Sequence, residues 1–232
     1  MKKTIHFRYN GFYDLLVDAL YQYRLAQKCT DSYSINRHAR ASISASMLTL
    51  ECCANCLISS LTISSALLKD IDKLPVVAKF ETYLKFRGIK TFNRGEKEIQ
   101  KVAELIRIRN DYVHLKVLNI NADLGQFKDQ GQFAALPVDL HGDIWEGVGI
   151  PKRALFWSTD NALSVLEAVR SFFVHVFIDL MKSDASEIRF LLFSRLETTN
   201  TQTPNIFNEF EYEIKKAADH GIDFMFLGLN NV

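Results

Sequence analysis

Residues 98–117 read Glu98-Ile-Gln-Lys-Val-Ala-Glu-Leu-Ile-Arg-Ile-Arg-Asn-Asp-Tyr-Val-His-Leu-Lys-Val117. Ile99, Val102, Ile106, Val113 and Val117 recur at spacings of three, four and seven, which predicts a helix with those residues on one face. At about 100° per residue, Asn110 and His114 share a second face, one turn apart. Arg109 falls near the middle of the apolar face. A guanidinium cannot shed its charge, so an inward Arg109 requires a carboxylate or an anionic ligand. A basic helix C-terminus complements the helix dipole, but that explanation leaves an inward arginine unaccounted for.

The surrounding chain supplies a helical body. Phe12, Leu15, Leu16, Ala19, Leu20 and Tyr23 predict a helix over 11–28. A turn rich in caps follows, with Thr30, Asp31, Ser32 and Ser34. The longest helical pattern runs from Ile35 to about Leu68 and carries two stripes. Ile43, Met47, Leu50, Ala54, Leu57 and Leu61 form a seam of large residues. Ser42, Ser46, Thr49, Cys53, Cys56, Ser60 and Ser64 form a seam of small ones, which permits close helix approach. One face therefore meets its own bundle and the other a further helix or a second subunit. Glu51 and Asn55 lie one turn apart at the edge of the large seam. They are either a boundary pair touching water or, for Glu51, the carboxylate that Arg109 requires.

Pro75 seals a break, and Val76–Phe86 is a shorter helix that Gly88 stops. Residues 119–159 lose the helical period and contain five glycines and two prolines. The segment is long for a plain loop. It predicts a hairpin with strands at 136–140 and 143–148, placed at the surface near His114 and more mobile than 43–61. Trp145 and Phe133 there are either base-stacking groups or tacks onto the body. Asp160 is the expected cap of a helix over 161–182, with His175 a structural residue. A helix over 186–196, a linker over 198–204, an acidic helix over 205–218 and a strand or docked tail at 221–229 complete the chain. The expected fold is all-α: a bundle of four to five main helices in 1–185, with a partly β insertion at 119–159 and a helical extension at 186–232 packed on it.

Composition restricts the function classes. The net charge is +1, but from Lys85 to Lys116 there are nine Lys/Arg against four Asp/Glu, and from Asp184 to Asp223 four against eight. The basic segment contains the motif, which suits a polyanion near His114. Cys29, Cys52, Cys53 and Cys56 lack zinc spacing and read as reduced, small, buried residues of a cytoplasmic protein. No metal site and no cofactor is expected. The apolar stretch Ala41–Leu68 has many hydroxyls and carries Glu51, which argues against a membrane span. Phosphate-binding glycine loops, Gly-x-Ser-x-Gly and His-Glu-x-x-His are absent from the sequence.

Arg109-Asn110-x-x-x-His114 resembles the R-x4-6-H motif of the HEPN superfamily, in its R-N-x-x-x-H version. The resemblance covers one helix well and about 150 residues of helical pattern loosely. It implies a HEPN-like bundle and a metal-independent endoribonuclease in which His114 moves protons, Arg109 grips phosphoryl oxygens and Asn110 orients the phosphate or His114. Glu51 and Asn55 look like the polar or acidic residues that such domains carry opposite the motif. Arg107 and Lys116 are the candidate contacts to substrate phosphates. The resemblance further implies RNA as substrate, a homodimer with two motifs at one cleft, an antitoxin or other protein partner, and a toxin–antitoxin or phage-defence setting. The alternative is a non-catalytic HEPN-like module that binds RNA, a nucleotide or a protein.

Overall fold

The computed structural model describes residues 5–117, 143–198, 201–204 and 207–229, with the backbone alone of short strands between 122 and 140. Eight α-helices stand among the described residues: α1 (Phe12–Lys28), α2 (Ser32–Ser59), α3 (Ser65–Asp72), α4 (Val76–Phe86), α5 (Lys97–Val113), α6 (Thr159–Phe173), α7 (Ala185–Leu192) and α8 (Asn208–Ala218). The protein is mostly helical, with small antiparallel sheets.

The central helix is α2. Asp31 caps it by accepting from Ser34 N at 2.8 Å. Its two stripes are both buried, as Ile43, Met47, Leu50, Ala54 and Leu57 on one side and Ser42, Ser46, Thr49, Cys53 and Cys56 on the other. The small stripe does not wait for a second subunit. It is packed by α1 of the same chain, and Ser42 Oγ donates to Ala19 O at 2.8 Å. Helices α4 and α6 also pack against α2. By length and composition α2 could cross a bilayer, yet 61% of its most apolar window is buried inside the protein.

The expected run to Leu68 stops at Ser59. There the hydroxyls of Ser59 and Ser60 turn back onto the carbonyls of Cys56 and Leu57, at 2.9 and 2.7 Å. A cluster of such residues offers the backbone an alternative to the helix. Ser64 then caps the separate α3. Gly88 follows α4 at φ +67, the left-handed conformation that ends a helix. The cap of α6 is Ser158, paired reciprocally with Asn161, and not Asp160, which lies in the first turn. Beyond Phe173 the same helix widens into a π-helical segment, Val174–Leu180. His175 in it lies 3.0 Å from Glu96 Oε2, at the start of α5, and 3.4 Å from Asp179 Oδ2.

The chain's two ends share a sheet that the sequence reading does not contain. Strand β1 (His6–Arg8) pairs antiparallel with β8 (Arg195–Glu197), which pairs with β9 (Gln202–Pro204). The expected linker at 198–204 is thus partly strand. Helix α8 packs on α1, and Glu213 accepts from Arg24. The tail docks: Phe224, Leu227 and Leu229 are buried, and Tyr13 donates its hydroxyl to Leu227 O.

The insertion pairs differently from expectation. Strand β2 (Ala122–Leu124) pairs with β5 (Val138–Leu140), β3 (Lys128–Asp129) with β4 (Ala134–Ala135), and β6 (Ile144–Trp145) with β7 (Ile150–Pro151). So 144–145 pairs with 150–151, and 138–140 pairs with 122–124 and not with 144–145. The mobility expected across 119–159 falls largely outside the described residues, as do Phe133, His141 and Gly142. The described part, 143–159, is tied down. Asn36 Nδ2 donates to the carbonyls of Ala154, Leu155 and Trp157, and Trp157 is buried against Tyr112, with ring centroids 5.2 Å apart.

Candidate active site

The motif sits where α5 ends. The buried residues of α5 are Ile99, Val102, Leu105 and Ile108, with Glu104. This stripe also has helical spacing, and it lies off the one first read. Ile106 is half-buried, while Val113 is 65% and Val117 99% exposed. The helix stops at Val113, which is already exposed, and Val117 lies beyond it. Arg109 accordingly lies at the flank of the buried face and not at its middle, with its side chain 23% exposed.

Even at the flank, the guanidinium is partnered. Arg109 Nη1 donates to Glu51 Oε2 on α2. Its Nε and Nη2 donate to Asn110 Oδ1 at 3.2 and 2.9 Å. Asn110 therefore orients Arg109. A guanidinium carries five N–H groups, and these three bonds leave two for a ligand. Glu51 and Asn110 together set the plane in which those two are offered.

His114 is the residue at which the chain leaves the helix. Its φ of −108 and ψ of 46 are not helical, while its N–H still bonds Asn110 O at 3.1 Å. The imidazole is exposed and has no hydrogen-bond partner among the described residues. Arg107 and Lys116 are exposed too. The Arg107 guanidinium lies 6.0 Å from the centroid of Trp145, a cation–π contact shared with Lys152 at 5.7 Å. The hairpin therefore flanks the basic face of α5.

Asn55 is the one candidate placed elsewhere. Its Oδ1 accepts from Lys79 Nζ at 2.8 Å, and the same Nζ lies 3.0 Å from Asp72. Lys79 is 3% exposed, so Asn55 helps satisfy a buried cation and has no bond to Arg109.

Glu104 escaped the sequence reading. It is 8% exposed and accepts from Val148 N at 2.7 Å, pinning the β6–β7 turn to α5. The turn can approach because residue 147 is glycine: a Cβ there would meet Glu104 Oε2 at 2.7 Å. The available signal was a lone carboxylate between the core residues Val102 and Leu105.

The cysteines divide into two pairs. Cys53 and Cys56 are buried, and Cys29 and Cys52 are only half-buried. A hydrogen bond with Cys56 holds the Cys52 thiol below its ordinary range, and burial raises Cys53. Among the described residues no group of three or more His, Cys, Asp or Glu is arranged to hold a metal ion. No family model matches the chain, and neither a curated protein nor a solved structure matches it.

Proposed function

We propose that the protein is a metal-independent endoribonuclease of HEPN type. The observation that carries this reading is the Glu51–Arg109–Asn110 cluster beside an exposed His114. It presents a fixed cation with two free N–H groups next to a group able to move protons near neutral pH. In the reaction, the 2′-oxygen of a ribose attacks the adjacent phosphorus. The P–O5′ bond breaks, leaving a 2′,3′-cyclic phosphate and a 5′-hydroxyl. His114 takes or returns the proton. Arg109 holds the phosphoryl oxygens, and Arg107 and Lys116 steer the backbone.

A single motif helix offers one histidine, so the proposal includes a homodimer in which both copies of Arg109, Asn110 and His114 line one cleft. The small-residue seam of α2 no longer supports that dimer, since α1 occupies it. The argument rests on the need for both an acid and a base. A cytoplasmic location and a toxin–antitoxin or phage-defence role belong to the same proposal.

A second reading, a non-catalytic module that binds RNA or a protein, is favoured by the fact that Glu51 already balances the charge of Arg109. Incubating the purified protein with structured RNA in EDTA decides between them. Cleavage to cyclic-phosphate ends that His114→Ala abolishes supports the nuclease. RNA retention without cleavage supports the module. No retention at low salt overturns both nucleic-acid readings.

A further inference from the structure

A cavity of about 260 Å³ opens between the start of α1, β1, the end of α7 and α8. Six aromatic residues line it: Phe7, Tyr9, Tyr13, Phe193, Phe207 and Phe210. Tyr13 stacks on Phe193 at 4.0 Å between centroids and faces Phe210 at 5.9 Å. Phe207 meets Phe210 edge to face at 5.3 Å. Phe7, Tyr9 and Phe207 form a half-exposed rim. Aromatic faces carry negative electrostatic potential.

The polar groups of the lining are all turned the same way. Tyr9 donates its hydroxyl to Asp14 Oδ2 at 2.8 Å, and Tyr13 donates to Leu227 O. Ser194 Oγ accepts from Asn10 N at 2.8 Å and donates to Asn10 O at 3.1 Å. Asn10 Nδ2 donates to Leu191 O at 3.2 Å and Phe193 O at 3.1 Å, which fixes the orientation of the amide. Every side-chain donor of the lining is therefore spent inside the protein. What remains are acceptors: Asn10 Oδ1, on a residue 8% exposed, and the second oxygen of Asp14. Among the described residues, no lysine or arginine lines the cavity. Asp18, one turn along α1, adds a second carboxyl, held up by burial and then by the charge of Asp14, while the Arg189 guanidinium acts on Tyr13 from behind the wall.

We propose that this cavity binds an organic cation carrying N–H donors, a guanidinium or primary ammonium on an aliphatic stem. Asp14 and Asn10 Oδ1 take the N–H groups, and the aromatic walls take the cation and its methylenes. A neutral apolar ligand would cover Asn10 Oδ1 without offering it a donor, and an anion would meet acceptors alone. The volume lies just under the range of about 300–1,000 Å³ common for ligand pockets, which suits one such headgroup and a short stem. Two sources share this chemistry: a free small cation, and an arginine or lysine side chain of a partner protein.

Calorimetry with n-butylguanidinium and its neutral isostere n-butylurea tests the assignment. The cation is expected to bind at least about tenfold more tightly, and Asp14→Asn to lose about that factor. Phe207→Ala, at the exposed rim, is expected to weaken binding as well and keeps the test open if Asp14→Asn does not fold. His114→Ala is expected to leave binding unchanged. No binding of the cation, equal binding of the urea, or an Asp14→Asn variant that folds and binds as before would overturn the proposal. An N-acetylated, C-amidated arginine peptide run in parallel identifies the source. Tighter binding than butylguanidinium assigns a protein partner, and equal or weaker binding assigns a free small molecule.

Discussion

Arg109 on α5 donates to the carboxylate of Glu51 on α2, tying the end of the motif helix to the central helix. Both side chains are partly exposed, 23% and 34%. The pair therefore lies between an exposed ion pair, worth under about 1 kcal/mol, and a buried one, whose rupture costs about 3–5 kcal/mol. Glu51→Ala is expected to destabilise the fold by about 1–2 kcal/mol in urea denaturation. A cycle with Arg109→Ala should show coupling. Additive effects of the two changes would mean the pair contributes nothing to stability.

Glu104 and Gly147 are expected to behave as one unit. Glu104→Ala leaves Val148 N–H unpaired and is expected to cost about 1–3 kcal/mol. Gly147→Ala drives a Cβ into the same carboxylate. The double variant should be more stable than the sum of the two, because removing the carboxylate opens the space the methyl needs. Thermal denaturation measures the deficit, and limited proteolysis within 143–151 shows whether the hairpin has lifted. Strict additivity would place the strain elsewhere.

Asn55 separates stability from activity. Asn55→Ala removes one partner of buried Lys79 and is expected to cost about 1–2 kcal/mol. Its rate of RNA cleavage per folded molecule should match the unmodified protein, whereas Glu51→Ala should slow cleavage. A cleavage defect in Asn55→Ala with an unchanged midpoint would return Asn55 to the site.

Tyr13 makes stability depend on alkaline pH. Burial raises its phenol well above the ordinary value of 10.0. A raised folded value means the contribution is intact below that ordinary value and is lost as pH climbs beyond it. Tyr13→Phe is expected to cost about 1 kcal/mol at pH 8, by leaving Leu227 O unpaired. Its decline between pH 9 and 11 should be shallower than that of the unmodified protein in urea titrations. Parallel curves would exclude Tyr13 as the titrating group.

Local periodicity made much of this fold legible. The bounds of α1 and α4 follow from apolar spacing, and Glu51 was reachable because an arginine near a core needs an anion. What escaped depends on residues far apart in sequence. Strands of three residues such as β1 and β8 are too short for alternation to show, and their pairing joins opposite ends of the chain. The phase of α5 was misread because Ile106, Val113 and Val117 match one stripe as well as Leu105 and Ile108 match another. Only the stop at Val113 separates them. The cavity escaped for the same reason, since its walls come from 7–14, 193–194 and 207–210.

That end-to-end sheet also sets an order of events during synthesis. Arg8 pairs with Arg195, 187 positions later. At about 5–20 residues per second, β1 waits on the order of ten to forty seconds after translation for its partner to be made. Throughout that interval Phe7 and the ring of Tyr13 have no β8 or tail to close over them, while α1 and α2 already have each other. Folding on the ribosome is therefore expected to proceed outward from the α1–α2 pair, with the amino-terminal strand among the last pieces to settle. Until β8 emerges, an unpaired strand edge beside exposed aromatic rings is the point at which nascent copies are most prone to associate.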